Sequence, residues 1–276
     1  MLIGQPSRTA YAAAAHRAVH QALEGGRIFK DPLALQILGD DANRAVEEAE
    51  AQPDRRFMRM FIAVRHRFTE DTLAAAVECG VSQAVVLGAG LDTCAYRSAV
   101  GDRLRFFEVD HPATQEWKRG RLAEAGIPIP PSLKFVPVDF EREMLAEELE
   151  KAGFDHRHRT LFIWLGVVPY LTPDAVWSTF EFVRRLAAHV VFDYSDPPET
   201  LSAEMRSMHD RRAARVAEIG EPWINYFDPP ALHSRLTSMG FRYIEDLGPR
   251  EIAARYFPGA TVVRDRGGHV VHASTV

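Results

Sequence analysis

Hydrophobic positions divide the chain into two parts with different periodicity. From residue 7 to about residue 79 the apolar residues follow helical spacing. Asp31 followed by Pro32 is typical of a helix start, and two glycines end the Ala-rich segment before it. A longer helix is predicted over about 54–78. Four of its apolar residues recur at intervals of three and four and share one face: Phe57, Phe61, Val64 and Phe68.

After Gly80, short apolar runs alternate with helix-compatible segments. Seven runs predict strands: AVVLG, LRFFEVD, LKFVPVD, TLFIWLG, HVVFDY, FRYIEDLG and GHVVHAS. This alternation favours an α/β fold with a mostly parallel sheet and helices on both faces. The last two strands are close enough in sequence to pair antiparallel. Ligands bind at the carboxyl edge of such sheets.

The pattern predicts a helical cap at 1–80 and a core at 81–276 that together form one compact unit. A charged segment, ETLSAEMRSMHDRRAARVAEIG, interrupts the core and has helical character. We interpret the region around it, at about 197–227, as a helical lid inserted into the core.

Composition favours small-molecule partners. The 276 residues are 46% hydrophobic, which is enough for a substantial core, and the net charge of -5 provides no basic field for nucleic acid or anionic membranes. Cys79 and Cys94 have no metal-ligand spacing and fit a reducing compartment. The first residues have no signal-peptide core, and the longest apolar run is too short to span about 30 Å of hydrocarbon. We expect a soluble cytoplasmic protein.

The turn Gly88-Ala89-Gly90 follows the first predicted strand, as nucleotide-binding turns do. Glycines let the backbone approach a ligand, and a following helix would offer unpaired N–H groups. The dinucleotide fingerprint G-x-G-x-x-G requires a third glycine, where this chain has Thr93. Its absence argues against tight binding of a pyrophosphate.

Acidic residues end the next two predicted strands. Asp110 lies about twenty residues beyond the turn, where a carboxylate can accept hydrogen bonds from both hydroxyls of an adenosine ribose. Asp139 ends the third strand and could accept a hydrogen bond from the adenine amino group, while Phe140 covers the ring. The set predicts an S-adenosylmethionine site, in which the cofactor's carboxylate needs a cation. The cap offers three basic candidates: Lys30, Arg65 and Arg67.

Several motifs together carry a resemblance to a known family. GAGLDT, FFEVDHP, PVDF and TLFIWLGVVPYLTPD resemble the leucine carboxyl methyltransferase family, including its bacterial S-adenosylmethionine-dependent methyltransferases. The likeness extends to SRTAYAAAAHRA, KDPLA and AVRHRFTED in the cap and to GEPWINYFDPPALHSRLTSMGF in the tail, in the same order. It implies a Rossmann-like class I methyltransferase fold with seven strands, and S-adenosyl-L-methionine as cofactor.

The resemblance also implies roles for single residues. Arg65 matches the arginine that holds the cofactor carboxylate, and Lys30 a lysine that helps it. Gly88 and Gly90 match the glycine turn, and Asp110 the ribose acid. Asp139 and Phe140 correspond to the adenine contacts.

Leu165 departs from the family pattern. Leucine carboxyl members carry a glutamate there, which is expected near the amino acid end of the cofactor. The replacement weakens the case for a protein C-terminus as substrate, and the large phosphatase partner of eukaryotic members is not implied.

Tyr170 is the best candidate for a contact with the methyl acceptor, since it matches a family tyrosine, although it could instead serve packing alone. His111 could reach the adenosine or be an ordinary strand-end group, and His209 could act from the lid. Aromatic residues after the lid helix are candidate substrate walls: Trp223, Tyr226 and Phe227.

These expectations point to an O-methyltransferase acting on a small-molecule carboxyl or hydroxyl group without a metal. A carboxylate acceptor needs no general base, whereas a hydroxyl does. Two alternatives remain. Gly88, Gly90 and Asp110 also suit an NAD(P)-binding oxidoreductase, and Leu165 allows a cofactor-binding protein without methyl-transfer activity.

Overall fold

A computed structural model describes residues 7–139 and 143–276. Its first part contains four helices: α1 (Arg8–Leu23), α2 (Pro32–Leu38), α3 (Asp41–Ala51) and α4 (Arg56–Glu78). Local chemistry fixes two of the starts. Ser7 caps α1 by accepting a hydrogen bond from the Ala10 N–H, and Asp31 caps α2 in the same way through Ala34. The predicted N-terminal helices are confirmed.

The second part is built on one seven-stranded sheet. Its strands are β1 (Gln83–Leu87), β2 (Arg105–Asp110), β3 (Leu133–Pro137), β4 (Thr160–Trp164), β5 (Ala188–Ser195), β6 (Tyr243–Leu247) and β7 (Gly268–Ser274). Their order is β3-β2-β1-β4-β5-β7-β6, with β1 to β5 parallel and β7 antiparallel to both neighbours. All seven predicted strands form, and the predicted α/β fold is confirmed.

Helices cover the sheet between the strands. They are α5 (Cys94–Arg97), α6 (Pro112–Glu124), α7 (Leu145–Lys151), α8 (Pro173–Val183), α9 (Ala203–Glu218), α10 (Pro229–Ser238) and α11 (Pro249–Tyr256). The predicted lid helix corresponds to α9, and none of its residues is buried. In the part of the chain described above, no helix is both long and apolar enough to cross a bilayer.

Hydrophobic clusters cover the two faces of the sheet, and one of them contains residues of the cap. Val64 and Phe68 of α4 belong to the cluster that includes Val86 and Ile163 of the central strands. The opposite cluster contains Trp164 together with residues of α8. Because α4 packs directly on the sheet, its polar residues reach the carboxyl edge. The strand order reverses beside β1, and such a switch point leaves a crevice at that edge.

Candidate active site

A cavity of about 760 Å³ lies at the carboxyl ends of β1 to β5. Helices α1 and α4 form one side, and α9 with residues 220–226 forms another. Most of the predicted site residues line it: Arg65, Gly88, Ala89, Gly90, Asp110, His111, Asp139, Leu165 and Tyr170. Trp223 and Tyr226, predicted as substrate walls, also line the cavity.

Other candidates lie elsewhere. Lys30 is exposed and is not among the described residues that line the cavity. Arg67 pairs with Asp71 on the surface of α4 at 2.9 Å. His209 lies 3.0 Å from the Tyr226 hydroxyl, behind the cavity wall. Phe140 lies outside the described residues.

The glycine turn is held tightly from two sides. Gly88 and Gly90 have φ values of +65° and +47°, which side chains rarely adopt. A Cβ on Gly88 would lie 2.3 Å from Val167 Cγ2, and one on Gly90 would lie 2.7 Å from Ala10 Cβ. Close packing against Val167 and Ala10 therefore requires glycine at both positions, whether or not a ligand is bound.

The segment after the turn differs from the expectation. α5 is a single turn that begins four residues after Gly90. Its first N–H, on Cys94, already donates to Asp92 Oδ1 at 2.7 Å. The expected helix with open N–H donors directly after the glycines is thus wrong, because the buried Asp92 carboxylate satisfies the helix start.

Asp110 joins the glycine turn to the end of β2. Its Oδ2 accepts a hydrogen bond from the Gly90 N–H at 2.6 Å, and its Oδ1 accepts one from the His111 N–H at 2.7 Å. Burial raises the pKa of this carboxyl above its ordinary value, and the two backbone donors oppose the rise. Each carboxylate oxygen retains one further acceptor position. Asp110 can therefore organise the turn and still accept two hydroxyl groups.

Arg65 reaches the cavity from α4 and pairs with Asp193 of β5. The Arg65 Nη1 lies 2.9 Å from Asp193 Oδ2, and the Gly166 N–H donates to Asp193 Oδ1 at 2.5 Å. The Arg65 Nε is buried and has no hydrogen-bond partner among the described residues. A guanidinium that lines a cavity can bind a carboxylate.

Asp193 was not predicted from the sequence. Trp164 pairs with Phe192 in the sheet register, so Leu165 and Asp193 follow at adjacent positions on neighbouring strands. Leu165 lines the cavity as predicted but brings no charge, and Asp193 supplies a carboxylate beside it. The acid in HVVFDY was the available signal, since Asp110 and Asp139 also lie at the carboxyl ends of strands and line the cavity.

The KDPLA motif contributes its aspartate to the site's framework. Asp31 is fully buried, and its Oδ2 accepts hydrogen bonds from Arg17 Nε and Thr93 Oγ1, both at 2.8 Å. The Nη2 of Arg17 donates to the Leu91 carbonyl at 2.6 Å. Asp31 thus ties two cap helices to the segment after the glycine turn, whereas sequence reasoning had selected Lys30 beside it.

A second buried pair supports the same segment from α6. The Lys118 Nζ donates to the Asp92 carbonyl and pairs with Glu108 Oε2, each at 2.7 Å. Burial raises the pKa of Glu108 to about 7, although the Lys118 charge opposes the rise. Both side chains are about 1% exposed, so this buried pair supports the segment after the glycine turn from the protein interior.

Tyr170 lies in a short 3₁₀ turn after β4 and lines the cavity. Burial raises the pKa of its hydroxyl, while hydrogen bonds with Trp223 and Thr9 and the charge of Arg65 oppose the rise. The hydroxyl therefore stays protonated at neutral pH. His111 also lines the cavity, and its Nδ1 accepts from the Ala113 N–H at 3.2 Å, so in the neutral ring Nε2 carries the proton.

The cavity is also lined by cationic and titratable residues that were not predicted from the sequence. His16 of α1 has a pKa lowered to about 4 by burial and by the charges of Arg59, Arg65 and Arg212. It is neutral at physiological pH. The lid helix contributes three cavity-lining arginines: Arg211, Arg212 and Arg215. The charged lid pattern gave no indication of which face meets the cavity.

The chain is similar to known proteins in both sequence and structure. The family model for leucine carboxyl methyltransferase matches residues 10–184. A Bacillus subtilis protein named "Putative S-adenosyl-L-methionine-dependent methyltransferase YktD" is 33% identical over 200 residues, which are 70% of this chain and 64% of that protein. A Mycobacterium marinum protein with the same description is 32% identical over 75% of this chain and 72% of its own length.

The first two curated relatives are each matched over less than two thirds of their length, the second being a Saccharopolyspora erythraea protein matched over 63%. Among solved structures, a Thermobifida fusca protein described as a "putative methyltransferase" superposes with a TM-score of 0.56 at 18% identity, covering 99% of this chain and 96% of that one. A Streptomyces avermitilis protein superposes with a TM-score of 0.53 at 16% identity, covering 95% and 97%. These structures support the fold.

Proposed function

Because the chain belongs to the leucine carboxyl methyltransferase family, we propose that it is an S-adenosylmethionine-dependent methyltransferase acting on a carboxyl or hydroxyl oxygen of a small molecule. One observation carries this proposal. A single cavity is lined both by Asp110, whose carboxylate keeps acceptor positions, and by the Arg65 guanidinium, which supplies a positive charge.

The residues present fit S-adenosylmethionine. Asp110 would accept hydrogen bonds from the ribose hydroxyls, and Asp139 would hold the adenine edge. Arg65 would bind the carboxylate of the amino acid portion, and the Asp193 ion pair orients its guanidinium for that contact. Leu165 and Val167 give the middle of this cavity an apolar wall.

When bound, this cofactor supplies a methyl group activated by a sulfonium. The protein's own contribution is to position the acceptor and to exclude water. Tyr170 can donate a hydrogen bond to the acceptor, because its hydroxyl is protonated. His16 is neutral and lines the same cavity, but a pKa of about 4 makes it a weak base for a hydroxyl acceptor, whereas a carboxylate needs no base.

The dinucleotide alternative is less compatible with the local structure. Thr93 stands where the fingerprint has its third glycine, and its side chain is fully buried and bonded to Asp31. The position is therefore part of the framework between cap and core. A cofactor-binding protein without activity is also less favoured, since Asp193 supplies a carboxylate beside Leu165.

Calorimetric titration with S-adenosylhomocysteine tests the proposal. Asp110→Ala and Arg65→Ala should each weaken binding about tenfold or more, because each removes hydrogen bonds to a charged group. Arg67→Ala is the matched control, since it lies on the same helix but on the surface. Unchanged affinity in both site variants would refute the proposal, and tight binding of NADH alone would favour the oxidoreductase.

A further inference from the structure

We propose that Asp193 binds the α-ammonium group of S-adenosylmethionine, so that the Arg65–Asp193 pair recognises the amino acid portion of the cofactor as a zwitterion. This inference rests on the proposed function and adds a binding residue that the family resemblance does not assign. It starts from the position of the ion pair, since both of its residues line the cavity.

The alternation of side chains along β5 turns Asp193 toward the helical cap. Successive residues of a strand point to opposite faces of the sheet. Val191 belongs to the same hydrophobic cluster as Val64 of α4, whereas Phe192 belongs to the cluster on the other face. Asp193 therefore lies on the side of α4, where Arg65 reaches it.

The Asp193 carboxylate keeps acceptor capacity beside the guanidinium. Its Oδ2 accepts a hydrogen bond from Arg65 Nη1 at 2.9 Å, and its Oδ1 accepts one from the Gly166 N–H at 2.5 Å. An ionised carboxylate has about four lone-pair sites, so each oxygen can accept one further hydrogen bond. Because Asp193 lines the cavity, a ligand's donor group can approach it there.

The two charged groups of an amino acid lie close together, because both are attached to the same carbon atom. An acid that binds the ammonium group must therefore lie next to the cation that binds the carboxylate. Asp193 meets this requirement, since its carboxylate contacts the Arg65 guanidinium directly. Leu165, at the adjacent position after β4, adds no charge of its own.

The other acids that line the cavity are less suited to the ammonium group. Asp110 and Asp139 lie at the ends of β2 and β3, on the far side of β1 from β5. Glu221 accepts hydrogen bonds from the first two N–H groups of α1, both at 3.1 Å. Asp92 contacts His66, with 3.4 Å between Oδ2 and Nε2. None of these four forms an ion pair with the cation that we assign to the cofactor carboxylate, among the residues that the structure describes.

A zwitterion matches the Arg65–Asp193 pair better than a carboxylate alone does. The two residues are 8% and 4% exposed, so solvent screens their charges weakly. A ligand carboxylate bound to Arg65 comes close to Asp193, and the two negative charges repel each other. An ammonium group on the same ligand offsets this repulsion and donates a charge-assisted hydrogen bond to Asp193. The pair should therefore select against adenosine compounds that lack the amine.

Calorimetric titration with three ligands tests the assignment. They are S-adenosylhomocysteine, its deamino analogue, which keeps the carboxylate, and its decarboxy analogue, which keeps the amine. Wild-type protein should bind S-adenosylhomocysteine about tenfold or more tightly than the deamino analogue. In Asp193→Asn, which keeps the shape of the side chain and removes its charge, this preference should fall to about twofold or less.

The three ligands separate this role from simple support of Arg65. If Asp193 serves only to orient the guanidinium, Asp193→Asn lowers the preference for S-adenosylhomocysteine over the decarboxy analogue and leaves the preference over the deamino analogue unchanged. Asp92→Asn is the matched control, because Asp92 is a second buried acid that lines the cavity and contacts α4. This control should retain the preference for the amine.

Circular dichroism spectra check that both variants fold. If Asp193→Asn does not fold, the crystal structure of the wild-type complex with S-adenosylhomocysteine decides. We expect the amine nitrogen at about 2.7–2.9 Å from an Asp193 carboxylate oxygen. An amine that is directed away from Asp193 overturns the inference.

Two failures are distinguishable. If S-adenosylhomocysteine binds but wild-type protein shows no preference over the deamino analogue, or if the preference persists in Asp193→Asn, the role of Asp193 is overturned while the proposed function stands. Loss of the preference in Asp92→Asn alone assigns the ammonium group to Asp92 and also overturns it. If S-adenosylhomocysteine itself does not bind, the proposed function fails and this inference fails with it.

Discussion

Arg65 of α4 and Asp193 of β5 form a buried ion pair, with 2.9 Å between Nη1 and Oδ2. The pair links the helical cap to the carboxyl edge of the sheet across 128 residues of sequence. It also fixes the direction of the guanidinium that we assign to the cofactor. The proposed cofactor site therefore draws residues from both the cap and the core.

Removal of Asp193 should damage both stability and binding. Asp193→Ala leaves the Arg65 charge buried without its partner, which costs about 3 kcal/mol in unfolding free energy. Urea unfolding measures this cost, and calorimetry should show weaker binding of S-adenosylhomocysteine. The double variant Arg65→Met/Asp193→Ala should recover much of the stability without recovering affinity. Wild-type affinity in the double variant would contradict the assigned role of Arg65.

A single methyl group at Gly166 should displace the same guanidinium. Gly166 has a φ of +68°, and an added Cβ would lie 2.9 Å from Arg65 Nη2. Gly166→Ala should therefore weaken S-adenosylhomocysteine binding about tenfold. It should also lower the free energy of unfolding by about 1–2 kcal/mol, because alanine is strained at a positive φ. Gly240→Ala is the control, because Gly240 has a φ of +98° and no atom within 4 Å of the added Cβ. Equal affinities in the two variants would show that the close approach is unimportant.

Restoring the dinucleotide fingerprint should not restore dinucleotide binding. Thr93→Gly creates G-x-G-x-x-G but removes a hydroxyl that donates to the buried Asp31. We expect a loss of about 1.5–3 kcal/mol in unfolding free energy, as for other hydrogen bonds to charged groups. Fluorescence titration should detect no gain of NADH affinity. A variant that binds NADH tightly would revive the oxidoreductase interpretation.

A buried histidine outside the cavity should make stability depend on pH. Burial alone would lower the pKa of His269, but hydrogen bonds to Asp196 and Asp246 raise it to about 9. The Nδ1 lies 2.8 Å from Asp246 Oδ1, and the Nε2 lies 3.3 Å from Asp196 Oδ2. Because the folded pKa exceeds the unfolded value of about 6.5, the stabilisation is complete below about pH 6.5 and is lost as pH rises through about 9.

The variant His269→Gln measures that contribution. It should reduce the unfolding free energy by up to about 3 kcal/mol near pH 6, and by much less near pH 10. Urea unfolding at the two pH values gives the difference. A cost that does not change with pH would mean that His269 is uncharged in the folded protein.

Strand-end chemistry made part of the site predictable. Glycine after β1 and an acid after β2 lie at the same sheet edge in any parallel sheet, so Gly88 and Asp110 could be placed together from the sequence alone. Helical periodicity predicted α4, and Arg65 followed from the family resemblance. The predicted parallel sheet also identified its carboxyl edge as the place where ligands bind.

Contacts between distant segments were not predictable in the same way. The sequence pointed to Lys30 and gave no sign that its neighbour Asp31 is buried. The role of Asp31 depends on contacts with Arg17 and Thr93, which belong to two other segments of the chain. The cavity-lining face of α9 is set by how the lid lies on the core. A charged helix without buried residues gives no periodic signal for that orientation.

The crystal structure of the S-adenosylhomocysteine complex tests the central claim most directly. Two distances decide it: from the ribose hydroxyl oxygens to the Asp110 carboxylate, and from the ligand's carboxylate to the Arg65 guanidinium. The account predicts that both lie within hydrogen-bond distance, at about 2.6–3.2 Å. A nucleoside bound away from Asp110, or a ligand carboxylate that does not contact Arg65, would contradict it.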